Sequence, residues 1–179
     1  MDNLGLSRVW WMRFVYLGLA MTLLFFQLLP LETLPRGWAP PDLLVAITFA
    51  WMLRRPDYVP LLSIAAALLL TDLLLQRPPG LWAALVVAGC AFLKSRVSGQ
   101  GEISFVGEWA SVGLVLIAIT VFNRLILGIT AVELTSLWLV FCQLLLTIVV
   151  YPIVALISQT LMGVRKLTPA DADVLGARA

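Results

Sequence analysis

The sequence predicts an all-α integral membrane protein with six transmembrane helices. Three observations carry that prediction: the composition, the apolar runs, and the sides on which the basic residues fall. Of the 179 residues, 61% are hydrophobic and 12% charged, with a mean hydropathy of +1.00. A soluble domain is nearer half apolar and a quarter charged. Too little polar material remains here to cover a water-facing surface. The net charge is +2 and no basic run exceeds two residues, so the chain lacks the basic footprint of a nucleic-acid binder.

The first predicted span covers 10–31, with Arg13 near enough to its start to reach the interface. It is long for the h-region of a leader, and Gln27-Leu28-Leu29-Pro30 makes a poor cleavage site, so it reads as a retained span. Residues 32–41 hold Pro35, Pro40, Pro41 and Gly37 and form a loop. The next two predicted spans, 42–53 and 58–75, form a tight hairpin around the basic turn Arg54-Arg55-Pro56-Asp57. Asp42 and Asp72 stand at its far shoulders. Gln76-Arg77-Pro78-Pro79-Gly80 breaks the chain before a fourth span over 81–93, closed by Lys94 and Arg96. A polar, glycine-containing loop over 95–105 leads to the fifth span, 106–127. The sixth, 134–157, contains Pro152, which is expected to kink it. Residues 1–162 therefore read as one six-helix membrane domain and 163–179 as a cytoplasmic tail.

A helix needs about 20 residues to cross roughly 30 Å of hydrocarbon, so the second and fourth runs are short. Charge placement weighs the options. Six spans with both termini cytoplasmic put Arg8, Arg13, Arg54, Arg55, Lys94, Arg96, Arg165, Lys166 and Arg178 inside. Arg36, Arg77 and Arg124 fall outside, a ratio of nine to three that obeys the positive-inside rule. Treating 42–53 as re-entrant gives eight to four, so the rule favours six spans and leaves five open. On this frame Trp10, Trp11, Trp51 and Trp109 mark the inner boundary and Trp38, Trp82 and Trp138 the outer one, as an aromatic belt.

Few residues offer chemistry. Histidine is absent, which removes histidine acid–base catalysis and His-containing zinc sites from this chain. Cys90 and Cys142 lie in apolar runs and read as packing residues. There is no GxSxG nucleophile with a base, no HExxH, no aspartate pair at metal spacing and no phosphate loop. No catalytic residue, metal or cofactor is therefore expected. Charges within hydrocarbon tend to be paired or functional, which singles out Asp42 and Asp72. Asp42 follows Pro41 and opens a helix, where it serves either as a cap or as a partner contact. Asp72 either bridges to Arg77 or Arg124 or meets a partner. Asn123 and Arg124 are placed to pair with Glu133, and Arg54 and Arg55 to fix topology.

The hairpin and its flank resemble the rod shape-determining protein MreD family of bacteria. The matching positions are Pro41, Asp42, Trp51, Pro56, Val59, Asp72, Leu73, Leu74, Pro79, Gly80, Ala84 and Leu85, over about 45 residues. Family members often carry a glycine shortly before the second aspartate, where this chain has Leu68-Leu69-Leu70-Thr71. That change alters how closely a neighbouring helix approaches. The resemblance implies a six-helix fold like that of the substrate-binding subunits of energy-coupling-factor transporters. It also implies a non-enzymatic inner-membrane scaffold of the elongation machinery (the elongasome). Its partners would be MreC directly, and MreB, RodA and its penicillin-binding transpeptidase within the complex, besides membrane lipid. Asp42, Asp72, Arg77, Pro79 and Gly80 are the expected partner-binding residues, and Pro41, Arg54, Arg55 and Pro56 the structural ones. The rival expectation is a small-molecule or lipid-binding membrane subunit of a transporter of that type.

Overall fold

The shortest helix lies at the centre. The computed structural model describes residues 3–29, 38–99, 104–130 and 135–164. It contains α1 (Asn3–Leu28), α2 (Leu43–Arg54), α3 (Leu61–Leu74), α4 (Leu81–Gly99), α5 (Phe105–Ile129) and α6 (Leu137–Leu161), with a single 3-10 turn at Pro56–Tyr58. Among the described residues there is no strand. Ten of the twelve residues of α2 are buried, an all-round burial that only a helix enclosed by others attains. It packs mainly on α6, with further contacts to α4 and α1.

Three helices, α1, α5 and α6, are long and apolar enough to cross a membrane. Their outward faces carry bare large side chains, including Phe14, Phe25, Leu114, Phe122, Phe141 and Leu156. Such a surface fits a lipid solvent and not water, and the protein is membrane-embedded. At about 1.5 Å per residue, the 12-residue α2 is far shorter than a bilayer core. Enclosure by α6, α4 and α1 supplies what lipid contact along its length would otherwise demand.

Several sequence expectations need correction. The predicted hairpin is not two packed helices: α2 and α3 have little direct contact, and α3 rests on α4 and α1. Pro56 and Pro60 are the reason. The first starts a 3-10 turn and the second sets the start of α3, so the chain changes direction over six residues and the third helix begins at Leu61, not at residue 58. The fourth helix runs to Gly99 through Lys94 and Arg96, because no glycine or proline interrupts 94–98 and Lys94 and Arg96 are good helix formers. The loop predicted over 95–105 is thereby shortened. Arg36, Glu133, Arg165, Lys166 and Arg178, together with the tail from 165, lie outside the described residues.

Close packing is enforced at Gly89 on α4. A Cβ there would meet Ile119 Cδ1 at 2.8 Å and Val115 Cγ1 at 2.9 Å, both on α5. Small residues permit such approaches between membrane helices.

Candidate functional site

The two predicted aspartates lie at one end of the bundle, and both are helix caps. Pro40 and Pro41 bar helix upstream of Asp42. The Asp42 carboxylate then accepts a hydrogen bond from the Val45 N–H at 3.1 Å, in the N-cap arrangement. Its own N–H donates to Thr147 Oγ1 on α6 at 2.9 Å, pinning the start of α2 to its main neighbour.

Asp72 acts across a turn. It is fully buried, and its Oδ2 accepts from the N–H groups of Gly80 at 3.1 Å and Ala83 at 3.2 Å. A carboxylate near the end of α3 thus satisfies the free donors at the start of α4. Neither Arg77 nor Arg124 forms the expected salt bridge with it; Arg124 donates instead to the Thr135 carbonyl at 3.0 Å. The intervening turn is a Schellman closure. The Arg77 N–H reaches the Asp72 carbonyl at 2.9 Å and the Gln76 N–H reaches that of Leu73 at 3.3 Å. Gln76 occupies the left-handed region at φ 54° and Gly80 follows at φ 84°. The second is free of penalty because it lacks a Cβ, and the first is not.

Between these caps and the neighbouring ends of α5 and α6 is a cavity of about 490 Å³. Asp42, Gln76, Arg77, Thr120, Asn123 and Gln143 supply its polar wall, and Leu116, Leu127, Leu139 and Leu144 much of its apolar wall. Trp82 also lines it, and its indole Nε1 is buried without a hydrogen-bond partner. Sequence reasoning missed this convergence. Its polar residues come from four separate stretches, none of which is a motif. Pro79 and Gly80 form the outer edge of the Asp72 turn and are not part of the cavity wall.

A second polar cluster holds the opposite end. Arg54, read from sequence as part of an exposed basic turn, points inward and is buried. Its Nη2 lies 3.3 Å from Glu108 Oε1 on α5, and its Nη1 donates to the Ala155 carbonyl on α6 at 2.7 Å. Tyr151 O–H donates to the same Glu108 oxygen at 2.8 Å. Trp51, expected in the interfacial belt, is fully buried beside them and donates to Ser158 Oγ at 3.1 Å. Arg55 instead covers the Tyr58 ring, at 5.9 Å.

Pro152 adds a related contact. It lacks the N–H that would bond the Ile148 carbonyl, and the Trp109 indole of α5 donates to that oxygen at 2.9 Å. A freed backbone acceptor within a membrane helix is thereby satisfied by a neighbour.

No group of three or more His, Cys, Asp or Glu side chains suited to a metal occurs among the described residues. Compared with known protein families, curated proteins and solved structures, the chain finds no match.

Proposed function

We propose that the chain is a non-enzymatic scaffold of the bacterial cell-elongation machinery. In this reading it is an inner-membrane protein of six spans with both termini cytoplasmic. It binds MreC and so supports side-wall peptidoglycan synthesis together with MreB, RodA and its penicillin-binding transpeptidase. The reading rests on the resemblance of 41–85 to the MreD family. One observation supports it: five of the residues that carry the resemblance, Pro41, Asp42, Asp72, Pro79 and Gly80, shape the aspartate end, while Trp51, Pro56 and Val59 lie at the other. Asp42 caps α2, and Asp72 caps α4 through Gly80. The motif thus builds a rigid edge in which both carboxylates cap helix starts beside the Arg77–Gly80 turn. MreC would meet the turn, through packing and a few desolvated polar contacts.

The test is co-purification of MreC with Asp72→Ala and with a charge reversal at Arg77, alongside cell shape. Asp72→Ala loosens the turn and Arg77→Glu changes its face, so each is expected to reduce association. Full association and rod shape with both properly inserted variants would remove this edge from the interface.

A second reading, favoured by the cavity, is a small-molecule or lipid-binding membrane subunit of the energy-coupling-factor type. A ligand site combines apolar walls with a few convergent polar groups, and the cavity at the aspartate end combines both. A stoichiometric compound retained through purification would favour it over the scaffold.

A further inference from the structure

The cavity at the aspartate end holds one carboxylate and one guanidinium that do not pair. The Asp42 cap uses Oδ1; Oδ2 enters no ion pair or well-formed hydrogen bond among the described residues, with Arg77 and the Trp82 indole near enough to act on its charge. Arg77 forms no ion pair and its guanidinium takes part in no hydrogen bond among the described residues. The side-chain amides of Asn123 and Gln143 likewise enter no hydrogen bond among the described residues, and the buried Trp82 N–H faces the Asp42 carboxylate without a well-formed bond. A simple anion drawn to Arg77 would meet the Asp42 charge, and a simple cation drawn to Asp42 would meet Arg77. Like charges brought together are costly and disfavour the wrong ligand.

We propose that this cavity binds a zwitterionic group, its phosphate or carboxylate held by Arg77 and its ammonium by Asp42. The N–H groups of Trp82, Asn123 and Gln143 serve the remaining oxygens of the acid, whose several lone pairs suit multiple donors. The volume of about 490 Å³ falls within the range of small-ligand sites and accommodates a head group with part of its glycerol. Two sources share this chemistry: an aminophospholipid head group and a free zwitterionic solute. The inference deepens the ligand-binding reading and is independent of the scaffold reading.

The test uses the full chain in detergent micelles. Glycerophosphoethanolamine, glycerol phosphate and ethanolamine are titrated separately, and the protein is then taken from nanodiscs of phosphatidylethanolamine or phosphatidylglycerol into native mass spectrometry. The zwitterion is expected to bind at least about tenfold more tightly than either half. Asp42→Asn keeps the cap, since asparagine caps as well as aspartate, and removes the charge. It is expected to weaken the zwitterion about tenfold while improving glycerol phosphate. Arg77→Gln is expected to weaken it without changing the thermal midpoint, so the proposal stays testable if Asp42→Asn fails to fold. Binding of glycerophosphoethanolamine without retained phosphatidylethanolamine assigns a soluble source; phosphatidylethanolamine retained from the nanodiscs assigns a lipid. Glycerol phosphate or phosphatidylglycerol binding as tightly as its zwitterionic counterpart would overturn the proposal but leave a ligand site. No binding of any probe would overturn both.

Discussion

Replacing Glu108 by glutamine isolates the charge that α5 contributes to the arginine end. The substitution keeps the shape and an oxygen to accept from Tyr151 O–H, and it leaves the Arg54 guanidinium buried without its counter-ion. At 3.3 Å and an effective dielectric near 20, the lost attraction is about 5 kcal/mol. Breaking a buried pair by removing one partner costs roughly 3–5 kcal/mol, so the two figures agree. The double variant Arg54→Met with Glu108→Gln removes both charges and keeps the Tyr151 bond. Since burying an ion pair carries its own desolvation cost, this variant is expected within about 1–2 kcal/mol of the native chain. The assay is reversible unfolding in mixed micelles of rising dodecyl sulfate content. Tryptophan fluorescence reports it, because Trp51 packs in the same cluster. A loss below about 1 kcal/mol for Glu108→Gln, or a double variant equal to the sum of the singles, would refute the reasoning.

The remaining predictions concern packing and caps. Gly89→Leu should destabilise the fold by about 1–3 kcal/mol and separate α4 from α5, read in the same unfolding assay and by cysteine cross-linking across that contact. Asp72→Ala should cost about 1–3 kcal/mol by orphaning the Gly80 and Ala83 donors, whereas Asp72→Asn, which still offers an oxygen, should recover most of it. Gln76→Gly should stabilise the chain by up to about 1 kcal/mol, because only glycine takes the left-handed turn position without penalty; a loss of stability would show that the Gln76 side chain holds the turn. Trp109→Phe should weaken the α5–α6 contact by about 1 kcal/mol, and Pro152→Ala in that background should restore it by returning the missing N–H.

What the sequence made legible was local. Six apolar segments, the breaks at Pro40-Pro41 and Pro78-Pro79-Gly80, and the capping option for Asp42 all depend on residues a few positions apart. The role of Asp72 was not legible, since the donors it serves lie 8 and 11 residues further on and belong to another helix. Arg54 was misread for a related reason. An arginine at a helix end beside Arg55 and Pro56 looks like a rim residue, and only the placement of α5 brings Glu108 within reach. One signal was available: Glu108 is a carboxylate in the first turn of a 25-residue apolar helix, and such a charge calls for a partner. Trp51 misled in the same way, because seven tryptophans near predicted boundaries suggest a belt regardless of which one turns inward.

The two ends of α2 differ in a way that bears on where function resides. At the arginine end, α2, α5 and α6 are tied by Arg54, Glu108, Tyr151 and the Ala155 carbonyl, all within the chain. That cluster pairs Arg54 with Glu108 and fixes the three helices together, which suits a stable base. At the aspartate end the backbone is held as firmly, by the Asp42 and Asp72 caps, yet the side chains of Arg77, Asn123 and Gln143 enter no hydrogen bond or ion pair among the described residues and surround a cavity. Rigid backbone with unspent hydrogen-bonding capacity is what a preorganised binding surface requires. A mutation at the arginine end should therefore act on stability first and on binding only as the fold loosens. Substitution of Arg77 should alter binding while leaving the unfolding midpoint unmoved. The physical separation of the two clusters along a single short helix is what makes those effects separable by experiment.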